Sequence, residues 1–284
     1  MSAWTEIIDD LVGHIGLMKE LGVRTVELDA KVLPEWDRVA AVVAQPSATT
    51  PSQHTLSVET SAPKVSSWQA PKPAEMKVDA RALSRQERDA ALTDIAARIA
   101  VCEACGLCKS RTKIVPGQGN PESPDVMFIG EAPGAQEDEQ GLAFVGAAGQ
   151  LLTKMIAAMG YAREDIFIGN ICKCRPPNNR TPTMEEMQKC LPFLREQIAI
   201  IKPKTIVLLG NTAIKGLLES QAGVTRLQGQ WTVYNGIPVM PTYHPAYLLR
   251  FESSGDAEGL RAAKMQVWRA LKLVLAQLGK PVPK

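Results

Sequence analysis

From residue 81 onward, short apolar runs alternate with stretches of helix length, and that alternation leaves few folds open. Strand candidates cover 126–130, 166–170, 205–210 and 238–242. Helix candidates cover 147–159, 183–200, 211–219 and 261–278, preceded by one over 84–101 with Ser84 as its N-cap. Helices of this length between strands imply right-handed crossovers. The expected fold class is α/β, a mostly parallel sheet covered on both faces. Such sheets bind ligands beyond the carboxyl ends of their strands. Here those ends read Gly130-Glu131-Ala132-Pro133-Gly134, Asn170, Gly210-Asn211 and Tyr243-His244-Pro245. An acid, an amide and an imidazole would meet on one edge.

The first 80 residues follow other rules. Ile7, Ile8, Leu11, Ile15, Met18 and Leu21 recur at helical steps, so 1–43 reads as a small helical module. It is too small to bury a large core alone. Residues 44–80 are rich in Pro, Ser, Thr, Ala and Gln, the composition of a disordered linker. The domain proper is expected over 81–284. Residues 1–80 hold 7 Lys and Arg against 11 Asp and Glu, whereas the remainder carries a net +6. A mildly basic C-terminal part tolerates a polyanionic partner. No stretch is apolar for long enough to span a membrane, and the acidic N-terminus lacks the basic region of a secretory signal. No membrane association is expected, and the cytoplasm is the expected location.

Six cysteines lie at 102, 105, 108, 172, 174 and 190. CxxCxxC and CxC spacing in such a chain favours metal or cluster ligation over disulfides. Cys102 and Cys105 form one pair, and Cys174 and Cys190 flank a Pro- and Arg-rich loop and a helix. Four thiolates suit zinc or an iron–sulfur cluster, and spacing does not choose between them. The turn GEAPG is neither a dinucleotide fingerprint nor a P-loop, so a nucleotide cofactor has little support.

Together, CxxCxLCxxRT (102–112), GEAPGAQED (130–138), AFVGAAGQLL (143–152), NICKCRPPNNRTP (170–182), Cys190 and HPAYLLR (244–250) resemble a family 4 uracil-DNA glycosylase over about residues 96–278. The resemblance implies the three-layer α/β/α sandwich of that family and a [4Fe–4S] cluster held by Cys102, Cys105, Cys174 and Cys190. Cys108 and Cys172 would stand beside it. It also implies a pocket for a flipped uracil, lined by Gly130, Glu131, Ala132, Glu137, Phe144, Asn170 and His244. Phe144 would stack on the base and Asn170 would pair with its edge, while Glu137 would exclude the methyl of thymine. His244 would support charge on the leaving base and Glu131 would orient water. Arg175, Arg180 and Arg250 would meet DNA phosphates, and the segment at Leu248 would act as the wedge in the base stack.

The function so implied is a monofunctional glycosylase that hydrolytically excises uracil from single- or double-stranded DNA. It would leave an abasic site for base-excision repair. Its expected setting is the nucleoid, as a monomer, with residues 1–43 free to dock a repair or replication partner. Two other readings fit the cysteines: a DNA-binding or polymerase-accessory protein with weak or no catalysis, and an electron carrier.

Overall fold

A computed structural model describes residues 83–282; the expected helical module and linker lie outside them. Ser84 caps helix α1 (Arg85–Ala100) by a reciprocal capping box with Glu87, as its side chain and spacing predict. Strand β1 (Gln118–Gly119) leads to β2 (Val126–Gly130), α2 (Ala135–Gln140), α3 (Ala147–Ala158) and β3 (Phe167–Asn170). Next come α4 (Met184–Ile201), β4 (Thr205–Leu209), α5 (Asn211–Leu218), α6 (Val224–Leu227), β5 (Thr232–Tyr234) and β6 (Ile237–Thr242). Helices α7 (Pro245–Ser254) and α8 (Ala257–Gln277) close the fold.

The six strands lie in the order β1-β3-β2-β4-β6-β5. The four inner strands are parallel, as the alternation of elements requires, and β1 and β5 add antiparallel edges. Those edges escape a reading by periodicity because they are two and three residues long and mostly unburied. Strand β4 stops one residue short of the expected 205–210. Gly210 turns to φ +86° to cap α5, a conformation that glycine adopts without steric cost.

Successive side chains of a strand point to opposite faces, and each face is buried under helices. Phe128, Ile168, Val207 and Met240 join a core with Leu152 and Ile156 of α3, Leu248 of α7 and Val267 and Leu271 of α8. Met127, Ile129, Phe167, Ile206 and Leu208 join a second core with Leu191 and Ile198 of α4 and Ile214 and Leu217 of α5. Each such side chain contributes about 1.5–3 kcal/mol when fully buried, so both faces anchor the sheet. Helix α1 packs on α4, where the buried Arg88 donates to the carbonyls of Ile200 and Ile201. Among the described residues no helix is long and apolar enough to cross a membrane.

Candidate active site

Above the carboxyl ends of β2, β3, β4 and β6 opens a cleft of about 940 Å³. It holds the strand-end residues that the alternation pattern places there: Glu131, Asn170, Gly210, Asn211 and His244. Ala132, Glu137 and Phe144 also line it. Gly130, expected to line the pocket, lies behind it, and its lack of a side chain leaves room for two groups that do line it. A Cβ on Gly130 would stand 2.5 Å from Asn170 Oδ1 and 2.5 Å from Phe144 Cζ. Gly130→Ala is therefore expected to push both groups off the slot and to slow turnover by about 10²-fold, with the fold intact by circular dichroism.

Asn170 ends β3 and is 2% exposed. Its Oδ1 is buried and has no hydrogen-bond partner among the described residues. A buried acceptor left unmade costs about 1–3 kcal/mol, so this atom is suited to a donor that the ligand brings. Phe144 stands beside it at φ +54°, a strained value for an aromatic residue. Two side chains grip the residue before it: Gln118 accepts from the Ala143 N–H, and Arg163 donates to the Ala143 carbonyl. The Phe144 ring lies 5.6 Å from that of His244.

Glu137 joins the two walls of the slot. Its carboxylate accepts from Gly134 N at 3.1 Å, Val145 N at 2.9 Å and Gly146 N at 2.8 Å. The residue thus locks the GEAPG turn to the Phe144 loop and faces the cleft as a fixed wall.

His244 caps α7: its Nδ1 accepts from Ala246 N at 3.1 Å, with Pro245 at the first helical position. An accepting Nδ1 leaves the ring proton on Nε2, which is free to donate. Burial, seconded by the charge of Arg250, pushes the His244 pKa down to about 4, so the ring is neutral at physiological pH. Glu131 accepts a hydrogen bond from Thr212, a buried side chain in the first turn of α5. Thr212 was not singled out in the sequence. The available signal was its place two residues after the end of a strand already read as one wall of the site.

The residues expected on DNA divide. Arg250 is exposed and lines the cleft. Arg180 lines it too, but its guanidinium forms a bidentate pair with Glu186 at 2.8 and 2.7 Å. That pair holds the Glu186 carboxyl down at about 2. Arg175 turns away and donates to Asn179 within its own loop. Leu248 corrects the sequence reading: helical geometry points it inward, where it is 2% exposed and packed in the first core.

The cysteine segments converge below the cleft. All six thiols are free. Arg111 donates to Cys174 Sγ at 3.3 Å and to the Cys102 carbonyl at 3.1 Å, and the Lys173 N–H donates to Cys190 Sγ at 3.2 Å. Cys172 donates to Cys190 and so holds the Cys190 thiol below its ordinary pKa. Burial raises the Cys105 thiol, with Cys190 and Cys102 adding to the effect. Among the described residues, no three carboxylate, imidazole or thiol groups close around a space for one metal ion. A four-iron cluster spreads its thiolates more widely than a single ion does. Donors aimed at sulfur are the support that cluster thiolates receive. The same segment reaches the pocket: Ile171 N and Cys172 N donate to the carbonyls of Gly130 and Glu131, and Lys173 Nζ to that of Asn170.

An acid, a neutral imidazole and an unpartnered amide around an aromatic-walled slot define a site for a flat polar ring. Residues 116–272 match the uracil DNA glycosylase superfamily. A type-4 uracil-DNA glycosylase of Thermotoga maritima is 44% identical over 171 residues, 59% of this chain and 88% of the relative. One from Pyrobaculum aerophilum is 47% identical over 157 residues, 52% of this chain and 80% of the relative. A third, from Sulfurisphaera tokodaii, is 45% identical over 167 residues, 56% and 76%. The chain belongs to the uracil DNA glycosylase superfamily and, within it, to the type-4 enzymes.

Proposed function

We infer that the chain excises uracil from DNA by hydrolysis of the glycosidic bond. The observation that carries the reading is the buried, partnerless Oδ1 of Asn170 in a slot walled by Phe144 and the Nε2–H of His244. Uracil offers a donor at N3 and an acceptor at O4, the complement of one amide, whereas cytosine offers the reverse. A base inside a duplex must leave the stack to reach such a slot. Phe144 stacks on the flipped ring, and Glu137, held by three backbone donors, bars the methyl of thymine.

As the bond from C1′ to N1 breaks, its electron pair goes to the base and the sugar becomes cationic. The His244 Nε2–H donates to the base oxygen where that charge gathers, and neutral imidazole suffices because it carries the donor. Glu131 orients the water that attacks C1′, Thr212 fixes the carboxylate that does so, and the proton the water loses neutralises the departing base. The products are free uracil and an abasic site. Lys173, a buried lysine beside the site, is tied by its Nζ to Asn170 O and Gln197 Oε1 and is not poised as an amine nucleophile. Lys215 also lines the cleft and passed unnoticed in the sequence. A nicked product before alkali would implicate it.

Cys102, Cys105, Cys174 and Cys190 would hold a [4Fe–4S] cluster, with Cys108 and Cys172 beside it. Bound there, the cluster would supply a structural cross-link between 102–105 and 174–190. Residues 1–43, joined through the linker 44–80, would dock a partner in repair. The enzyme would work as a cytoplasmic monomer on the nucleoid.

The test uses anaerobically purified protein and labelled oligonucleotides with one U, T or C. Alkali-dependent cleavage confined to U is expected. Binding of uracil-containing DNA without cleavage would assign the chain to the accessory class instead.

A further inference from the structure

Phe144 is buried, and its φ of +54° lies in the left-handed region that an aromatic side chain seldom adopts. Such a conformation persists only where the surroundings over-determine it, and it concentrates at ligand clamps. Here the restraints come from both sides along the chain. After Phe144, the N–H groups of Val145 and Gly146 donate to Glu137. Before it, the Ala143 N–H donates to Gln118 Oε1 at 3.3 Å, and the Ala143 carbonyl accepts from Arg163. Neither Gln118 nor Arg163 lines the cleft.

Arg163 opens the single 3-10 turn that leads into β3 (Arg163–Asp165). The Ala162 N–H donates to the Asp165 carboxylate at 2.9 Å and fixes that mount. The guanidinium reaches out with two arms. Nη2 donates to the Ala143 carbonyl. Nη1 donates to Thr153 Oγ1 at 3.0 Å, and that hydroxyl donates to the Gly149 carbonyl at 3.1 Å. At Gly149 the helix α3 presses on the loop, since a Cβ there would overlap the carbonyl of Phe144. The two arms therefore end on either side of one residue. The first arm has a direct geometric consequence. The Ala143 carbonyl belongs to the rigid peptide plane that precedes Phe144, and the turn of that plane about the Phe144 N–Cα bond is its φ. A planar fork of fixed donors suits a two-armed grip that an ammonium copies only in part.

We propose that Arg163 is a positioning residue for the base slot: from outside the cleft it holds the Ala143–Phe144 peptide plane, and with it the Phe144 ring, in the stacking position. The proposal rests on the uracil-excision reading and adds the group that keeps the slot formed before the base arrives. Without the grip the plane can turn and φ can relax, which carries the ring off the slot. The effect runs through the ring alone, so it vanishes when the ring is removed.

The experiment is a double-mutant cycle, read as single-turnover excision from a single-stranded oligonucleotide with one uracil by the full chain with its cluster intact. Arg163→Gln is expected to slow excision about tenfold, by leaving the competent loop in about a tenth of the molecules. Arg163→Lys, which keeps one donor, recovers part of the loss. In a Phe144→Ala background, Arg163→Gln is expected to cost less than about twofold. Thr153→Val cuts only the relay arm and should cost about threefold, again only while the Phe144 ring is present; this cycle decides if Arg163→Gln does not fold. Equal losses with and without the ring, or no loss in the wild-type background, would overturn the positioning role and leave excision itself standing. A wild-type chain that releases no uracil would overturn the reading beneath it, and the positioning role with it.

Discussion

His244→Ala slows single-turnover excision of uracil by about 10²–10³-fold, the usual cost of removing one donor aimed at developing charge. Substrate affinity changes far less, because the donor acts on charge that appears only as the bond breaks. The wild-type pH profile carries the same information. The imidazole works in its neutral form and is held at about 4 by burial and by Arg250, against an ordinary value of 6.5. Activity should therefore show no histidine limb near pH 6.5, and the loss from protonating His244 should begin only as pH approaches 4. Stability, unlike activity, changes across that window. The unfolded histidine binds a proton near pH 6.5 and the folded one does not, so folding weakens as pH falls from 6.5 toward 4. A wild-type rate that falls with a midpoint near 6.5, and a His244→Ala variant without that limb, would show that the ring is an ordinary exposed histidine.

Loss of the proposed [4Fe–4S] cluster is the second large effect expected. A cross-link from Cys102 to Cys190 closes a loop of 88 residues, and opening it costs roughly 4 kcal/mol of chain entropy. For a domain of this size that lowers Tm by roughly 8–16 °C. Cys174→Ala is expected to abolish the visible absorption of the protein, to lower Tm by about that amount and to weaken uracil excision. The reason is on the chain: Asn170 and Cys174 sit four residues apart, and the intervening backbone holds Gly130 and Glu131 by hydrogen bonds. Differential scanning calorimetry together with the absorption spectrum checks it. A Cys174→Ala protein that keeps its Tm would remove the cross-link from the account.

The sheet and the site edge were legible because both obey period and chemistry. The inner strands are continuous apolar runs, as strands buried on both faces must be. Their carboxyl ends carry Glu131, Asn170 and His244, polar residues gathered on the one edge where a parallel sheet binds ligands. What stayed hidden depended on side-chain direction. Leu248 reads as a wedge from its place after His-Pro-Ala-Tyr, but the helix that begins at Pro245 turns it into the core. Arg180 reads as a phosphate contact, yet Glu186, six residues on, folds back to pair with it. Thr212, Gln118 and Arg163 act on Glu131 and Ala143 from distant parts of the chain, and no local pattern announces a contact made across the fold.

The central claim is that this pocket cuts one bond and no other. The most direct test is to incubate the cluster-loaded full chain with an oligonucleotide containing a single uracil. Free uracil is then quantified by mass spectrometry against abasic sites and strand breaks in the same sample. One free uracil per abasic site is expected, with the strand intact until alkali is added. No free uracil from a protein with an intact cluster, a strand already broken before alkali, or a sugar left covalently on the protein would contradict it.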